Sequence, residues 1–282
     1  MRLTKHHGLG NDFLIVLDPD ASHPLDPEVA RALCDRHTGV GADGLIRATP
    51  AGGSAGRVRM ELRNADGSRA EMSGNGVRCL GQALVLGWPG AGGEAGAELA
   101  IETDAGLRTL TVHGALDPVT LELSVAMGPA TVEGDAPEWT GGPVARALRV
   151  GMGNPHLVLD VSAAGDEAAA DVDLVALGEA ANAKIDGGAN VHLLTTTAGD
   201  AGPGIAIRTY ERGVGPTQAC GTGACASAAA ARAWGLVGAE VPVTMDGGRA
   251  QVSLGTAPGA EVVLRGPATY VGAIELAVSP WH

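Results

Sequence analysis

Two short turns carry the groups in this chain best suited to moving a proton. Residues 217–226 read TQACGTGACA, and residues 70–79 read AEMSGNGVRC. Each sets a small polar side chain ahead of a Gly-x-Gly turn, with a helix-like run behind it: Cys220 before Gly221, Thr222 and Gly223, and Ser73 before Gly74, Asn75 and Gly76. Asn75 and Thr222 are good N-cap types placed just before those runs. The backbone N–H groups of Gly74, Asn75, Gly221 and Thr222 are therefore expected at two helix N-termini, which attract an anion such as a carboxylate through unpaired donors and the macrodipole. A thiol in that position should have its thiolate stabilised, with a pKa below about 8.5, and can then take or give a proton at neutral pH. On spacing alone, two ordinary glycine turns explain the pattern equally well. Cys34, Cys79 and Cys225 read as buried apolar fillers.

Further polar residues stand in turn contexts. They are Asn11 in GLGNDF, Asn64 in RNADGS, Asn154 and His156 in GMGNPH, Asn190 in GGANVH, and Glu211 with Arg212 in YERGVG. Each Asn alone is an unremarked turn residue. The adjacent Glu211 and Arg212, ending a strand-like run, say more. Arg holds a carboxylate bidentately and Glu accepts from an ammonium, so together they suit a zwitterionic amino-acid terminus.

The elements that must position these residues alternate in a regular way. Period-2 alternation marks strands over 57–64, 106–114, 119–128, 190–197, 204–211 and 260–266. Helical spacing marks 26–37, 76–87, 172–183 and 223–235. Loops are expected over 49–56, 88–98 and 198–204, where Gly and small residues cluster. Strands lead into a Gly-rich turn, then one helix, then more strands, and the sequence does this twice. The reading is two similar halves of α+β class, joined near residues 113–120. The first half is taken as 1–118 with the C-terminal segment 268–282 joined to it, and the second as 119–267.

Composition excludes several classes. The chain has 282 residues, a net charge of −13, 45% hydrophobic residues and only 2% aromatics, so its cores must be built from Val, Leu, Ile and Ala. The acidic balance argues against nucleic acid and against an anionic membrane as partners. No apolar run is long enough to span a bilayer, and the opening MRLTKHHGLGND lacks a signal-peptide core. Four cysteines in a chain of this length make no disulfide framework, which fits a reducing cytoplasm. The histidines show no metal-ligand spacing, so no metal is expected. A pyridoxal cofactor needs a Schiff-base lysine, and the only lysines, Lys5 and Lys184, sit in no phosphate cradle. GVGADG at 39–44 satisfies G-x-G-x-x-G, but it follows a helix and precedes a strand, the reverse of the dinucleotide fingerprint.

Taken together, GLGNDF, CDRHTGVGADGL, RNADGSRAEMSGNGVRC, GNPH, ANVH and ERGVGPTQACGTGACA closely resemble the diaminopimelate epimerase family in order and spacing, nearly end to end. The resemblance implies two pseudo-symmetric domains, each a β-barrel-like sheet around a central helix, with the active site in the cleft between them. It implies a homodimer and a cofactor-independent epimerisation of L,L- to meso-diaminopimelate on the route to lysine and peptidoglycan. In that family two cysteines work from opposite faces of the α-carbon. Carried over by position, Asn64, Asn190, Glu211 and Arg212 hold the distal amino-acid end, and Asn11 and Asn154 line the site. Gly74, Asn75, Gly221 and Thr222 bind the proximal carboxylate, while His156 and Glu211 assist proton movement near the thiols.

Two positions depart from the family. Pro216 replaces the usual Glu of its GxGET stretch, and Ser73 stands where the first catalytic cysteine belongs. An alcohol is closer to water, with a pKa of about 15.7, than to a thiol at about 8.5. The gap of roughly seven pK units is worth about 10 kcal/mol, more than a helix end can offset. Ser73 should be a poor base unless a neighbouring base takes its proton. That leaves three readings: an epimerase with an asymmetric Ser/Cys pair, a same-fold isomerase or lyase on another amino acid with Cys220 as its single strong base, or an amino-acid-binding relative without catalysis.

Overall fold

A computed structural model describes residues 2–52, 57–70, 72–165, 169–199, 202–257 and 259–277. Parts of the loops expected at 49–56 and 198–204, and the last residues of the 268–282 segment, lie outside the described residues. The chain divides into two units, Met1–Ala126 with Arg265–His282, and Met127–Leu264.

The first unit is a closed ring of strands. In chain order these are β1 (Arg2–Gly8), β2 (Asn11–Leu17), β3 (Gly44–Pro50), β4 (Arg57–Asn64), β5 (Glu98–Thr103), β6 (Gly106–Asp117) and β7 (Thr120–Pro129), with β16 (Glu261–Glu275) completing it. Each strand pairs with the next, β7 pairs with β16, and β16 returns to β1. Two helices accompany them, α1 (Pro27–Cys34) and α2 (Gly74–Gly87). Every residue of α2 from Gly74 to Leu84 is buried, and the helix touches β1, β2, β3 and β6. A helix buried all round must be apolar or small nearly all round. Gly81 supplies closeness, since a Cβ there would meet Leu110 Cδ1 at 2.6 Å. The exceptions are Asn75, Arg78 and Gln82, each with a hydrogen-bond partner inside the unit. Arg78 donates to Asn75 Oδ1 at 2.6 Å. Gln82 donates to the Val119 carbonyl at 2.7 Å and meets His6 Nδ1 at 2.8 Å.

The second unit has the strand order β15, β14, β12, β11, β10, β9, β8, with β13 attached to β12. These are β8 (Thr131–Asp135), β9 (Arg146–Gly151), β10 (Pro155–Asp160), β11 (Asn190–Thr197), β12 (Gly204–Glu211), β13 (Gly215–Thr217), β14 (Glu240–Met245) and β15 (Gly248–Leu254). The sheet curls about α4 (Gly221–Ala233), which touches β9, β10, β11, β12, β14 and β15. The buried residues of α4 are only Gly, Ala, Ser and Cys, so strands can approach it from several sides. Outside the sheet, α3 (Leu174–Lys184) starts on Asp173, whose side chain accepts from Ala176 N at 3.0 Å, and it packs on β11 and β12.

Strands 57–64, 190–197 and 204–211 run as the alternation predicts, while the run at 260–266 continues to Glu275. Strands β2 and β10 escaped the alternation test because their apolar residues run unbroken, Phe13 to Leu17 and Leu157 to Leu159, as in strands covered on both faces. Each pairs in parallel with a neighbour, β2 with β3 and β10 with β11.

Gly178, mid-helix in α3, lies against Tyr210, and a Cβ there would stand 2.3 Å from the ring. Alanine would raise helix propensity by up to about 1 kcal/mol, but overpacking costs about 1–3 kcal/mol. Gly178→Ala is expected to lower the urea unfolding midpoint; a higher midpoint would mean that α3 yields to the ring without cost.

Candidate active site

The two turns share one local design, and it corrects the expected caps. Helix α2 begins at Gly74 and is capped by Ser73; α4 begins at Gly221 and is capped by Cys220. The cap residues have nearly the same backbone, φ −139° and ψ 120° for Ser73, φ −121° and ψ 113° for Cys220. Ser73 Oγ accepts from Gly76 N at 3.0 Å, and Cys220 Sγ accepts from Gly223 N at 3.3 Å. Asn75 and Thr222 lie inside the helices. The cap is thus the hydroxyl or thiol itself, which takes up the N–H of the third helical residue.

In the first unit Asn75 Nδ2 donates to Asn11 Oδ1 at 3.2 Å. Asn11 is aimed by Asp43, whose Oδ2 accepts from Asn11 Nδ2 at 2.8 Å and from Asp12 N at 3.1 Å. Arg36 bridges Asp43 and Asp12, and Lys5 adds an ion pair to Asp12 at 2.8 Å. Burial works against the Asp12 carboxylate, but its bonds to Arg36 and Lys5 hold it at about 2. The GVGADG stretch therefore docks a loop that orients Asn11. Asn64 ends β4 opposite Gly44 of β3, beside Asp43, and its amide donates to Ser68 Oγ at 3.0 Å.

In the second unit β10 and β11 set His156 opposite Asn190. Asn190 Oδ1 accepts from Arg212 N at 2.9 Å, and Arg212 Nη1 donates to the Gly187 carbonyl at 2.5 Å. His156 Nε2 meets Asn154 Oδ1 at 2.8 Å, and its Nδ1 meets His192 Nε2 at 2.9 Å. Thr217 Oγ1 donates to Glu211 Oε1 at 2.7 Å.

Electrostatics overturn the expected thiolate. Burial pushes the Cys220 thiol up, and the adjacent Glu211 charge pushes it further. Bonds from Thr222 and Gly223 pull the other way but do not prevail. Cys220 is 4% exposed, so two hydrogen bonds at a helix end face nearly complete desolvation. Cys220 therefore rests as a thiol beside a carboxylate. Cys79 is fully enclosed and pushed up to about 12 by burial, which keeps it a filler. Burial also drives His156 well below the ordinary histidine value, with His192 and Arg212 adding to the effect.

The family model for diaminopimelate epimerase matches residues 3–133 and 148–271. The chain belongs to the diaminopimelate epimerase family. It is 38% identical to the diaminopimelate epimerase of Mycolicibacterium smegmatis, across 100% of this chain and 99% of that one. It is 37% identical, with the same coverage, to that of Mycolicibacterium gilvum. Among solved structures, a hydroxyproline epimerase from Agrobacterium vitis matches with a TM-score of 0.73 at 18% identity, over 97% of this chain and 91% of that one. A phenazine biosynthesis protein of the PhzF family from Bacillus anthracis matches at 0.71 and 14%, over 99% of each. At such identities these two speak for the fold alone.

Asp43, His192, Thr209 and Thr217 were not among the residues singled out in the sequence. One signal was present: Asn154-Pro155-His156 and Asn190-Val191-His192 repeat the pattern N-x-H. Pro216 is exposed on β13, paired with Tyr210, and nothing in the structure explains it.

Burial is the main cause that holds the thiol protonated, and replacing Glu211 by Gln removes the charge that adds to it, so more Cys220 should be thiolate at a given pH. Iodoacetamide labelling of Cys220 at pH 8 is expected to be slow in the parent and faster in Glu211→Gln. An unchanged or slower rate would show that the carboxylate does not govern the thiol.

Proposed function

We propose that this chain interconverts L,L- and meso-2,6-diaminopimelate, and that its own side chains move the α-proton without a cofactor. The observation that carries the reading is the seat of Cys220: a thiol that caps α4 beside Glu211, inside motifs that match the family. Glu211 is the group that takes the thiol proton as substrate binds, and the thiolate then removes the α-proton. Gly221 and Thr222, with Gly74 and Asn75 from the other turn, hold the α-carboxylate, whose charge suits helix N-termini. Arg212 holds the distal carboxylate, and Asn64 and Asn190 bind beside it. Asn11 and Asn154 line the substrate.

Ser73 occupies the second proton-carrying position. Its hydroxyl sits in the same seat as the Cys220 thiol but is a far weaker acid, so the two faces of the carbon are chemically unequal. The fuller picture is a cytoplasmic homodimer serving lysine and peptidoglycan precursor synthesis. Among the described residues no helix is long and apolar enough to cross a membrane.

Deuterium incorporation at the α-carbon, followed from each isomer in heavy water, tests the reading. Epimerisation predicts exchange coupled to interconversion. Exchange without inversion would leave a one-base enzyme working through Cys220, and absence of both would leave a binding protein. Ser73→Cys is expected to raise turnover in at least one direction, because a thiol replaces an alcohol in an intact seat. Arg212→Lys should raise KM several-fold, since a point charge loses the bidentate fork; an unchanged KM would remove the case for a two-ended substrate.

A further inference from the structure

His192 is fully buried on β11 and lies outside the residues carried over from the family. Its Nδ1 meets Thr209 Oγ1 at 3.0 Å and its Nε2 meets His156 Nδ1 at 2.9 Å. The two imidazoles lie 5.1 Å apart between centroids, tilted by 28°. Gly223, in the turn that caps onto Cys220, leaves room for this ring: a Cβ there would stand 2.2 Å from His192 Cε1.

Four groups in a row leave few ways to place the protons. Two ring nitrogens facing each other at hydrogen-bond distance need one proton between them, no more and no fewer. At one end Asn154 presents Oδ1, which only accepts, so His156 carries its proton on Nε2. Neutral His156 then has a bare Nδ1, which accepts from His192 Nε2–H. His192 is left with a bare Nδ1, which accepts from the Thr209 hydroxyl. Every bond is satisfied with both rings neutral, the form that burial favours.

We propose that His192, held by Thr209, is a positioning residue: its Nε2–H on His156 Nδ1 and Asn154 Oδ1 on His156 Nε2 hold His156 between them as the Nε2–H tautomer, and that pairing keeps the Asn154 amide nitrogen outward as a donor to substrate. The inference rests on the reading above that Asn154 touches substrate. It also removes His156 from the role of free base, because its Nε2 already holds a proton and its Nδ1 is occupied. A buried histidine pair that only filled space would not fix which nitrogen is protonated.

Long-range ¹H–¹⁵N correlation spectra of the substrate-free, ¹⁵N-histidine-labelled enzyme decide the tautomers, with His156→Gln and His192→Phe assigning the rings. Both histidines are expected as neutral Nε2–H forms. In His192→Phe, His156 should become a tautomer mixture, with KM up about fivefold, the worth of one hydrogen bond, and little change in kcat. Thr209→Val, a milder change that keeps both rings, should loosen the same signals, and His192→Gln, which restores a donor, should recover KM. His156 protonated on Nδ1 in the parent, or a fixed Nε2–H tautomer surviving in both His192→Phe and Thr209→Val, would overturn the lock. Asn154→Ala separates the two layers: an unchanged KM there sinks the substrate role of Asn154, while the spectra still decide the tautomers.

Discussion

A helix buried on every side has an N-terminus that cannot turn to bulk water for its unpaired N–H groups. Much of this structure follows from that constraint. Both α2 and α4 are enclosed by strands, and each solves the problem with a short side chain that accepts from the third residue along. The remaining donors of the first turn suit an anion. One geometric need therefore places an acceptor atom beside a turn whose first-residue donors suit an anion, twice. Sulfur in one seat and oxygen in the other change the chemistry without changing the backbone.

Burial that makes the seat also sets its charge state. The helix end alone suggests an easily ionised thiol, but desolvation and Glu211 dominate at Cys220. A thiol kept protonated at rest is protected from adventitious alkylation and oxidation, which act on the thiolate. On the proposed reading its activation waits on a change in its surroundings, with the carboxylate beside it as the acceptor. The first unit shows the complementary case, where Lys5, Arg36 and the two aspartates form a charged lattice whose result is the angle of a single amide, that of Asn11.

Much of this was legible in the sequence, for physical reasons that can be named. A strand with one face toward a core alternates, so 57–64 could be read to the residue. The inner strands β2 and β10 could not, since their apolar residues run unbroken, Phe13 to Leu17 and Leu157 to Leu159, and leave no period to read. The helices begin two residues before the apolar pattern because Gly74 and Gly221 carry no side chain to register in it. Cys220, Asn11 and His156 were visible through motif and type. His192 was not, because its significance lies in the stagger of two parallel strands, which brings it beside His156 across a long sequence separation. The pKa of Cys220 was misjudged for a related reason: a turn is local, whereas desolvation belongs to everything packed around it.

The absent Cβ at Gly223 has a consequence for how this lineage can change. The imidazole of His192 fills the volume a side chain at position 223 would need. Neither position is therefore free to drift alone. A larger residue at 223 is admissible only after position 192 has shrunk, and once 192 has shrunk a glycine at 223 leaves a hollow beneath the Cys220 turn. The two sites behave as a single heritable choice, and the order in which their substitutions arrive decides which routes through sequence space remain open.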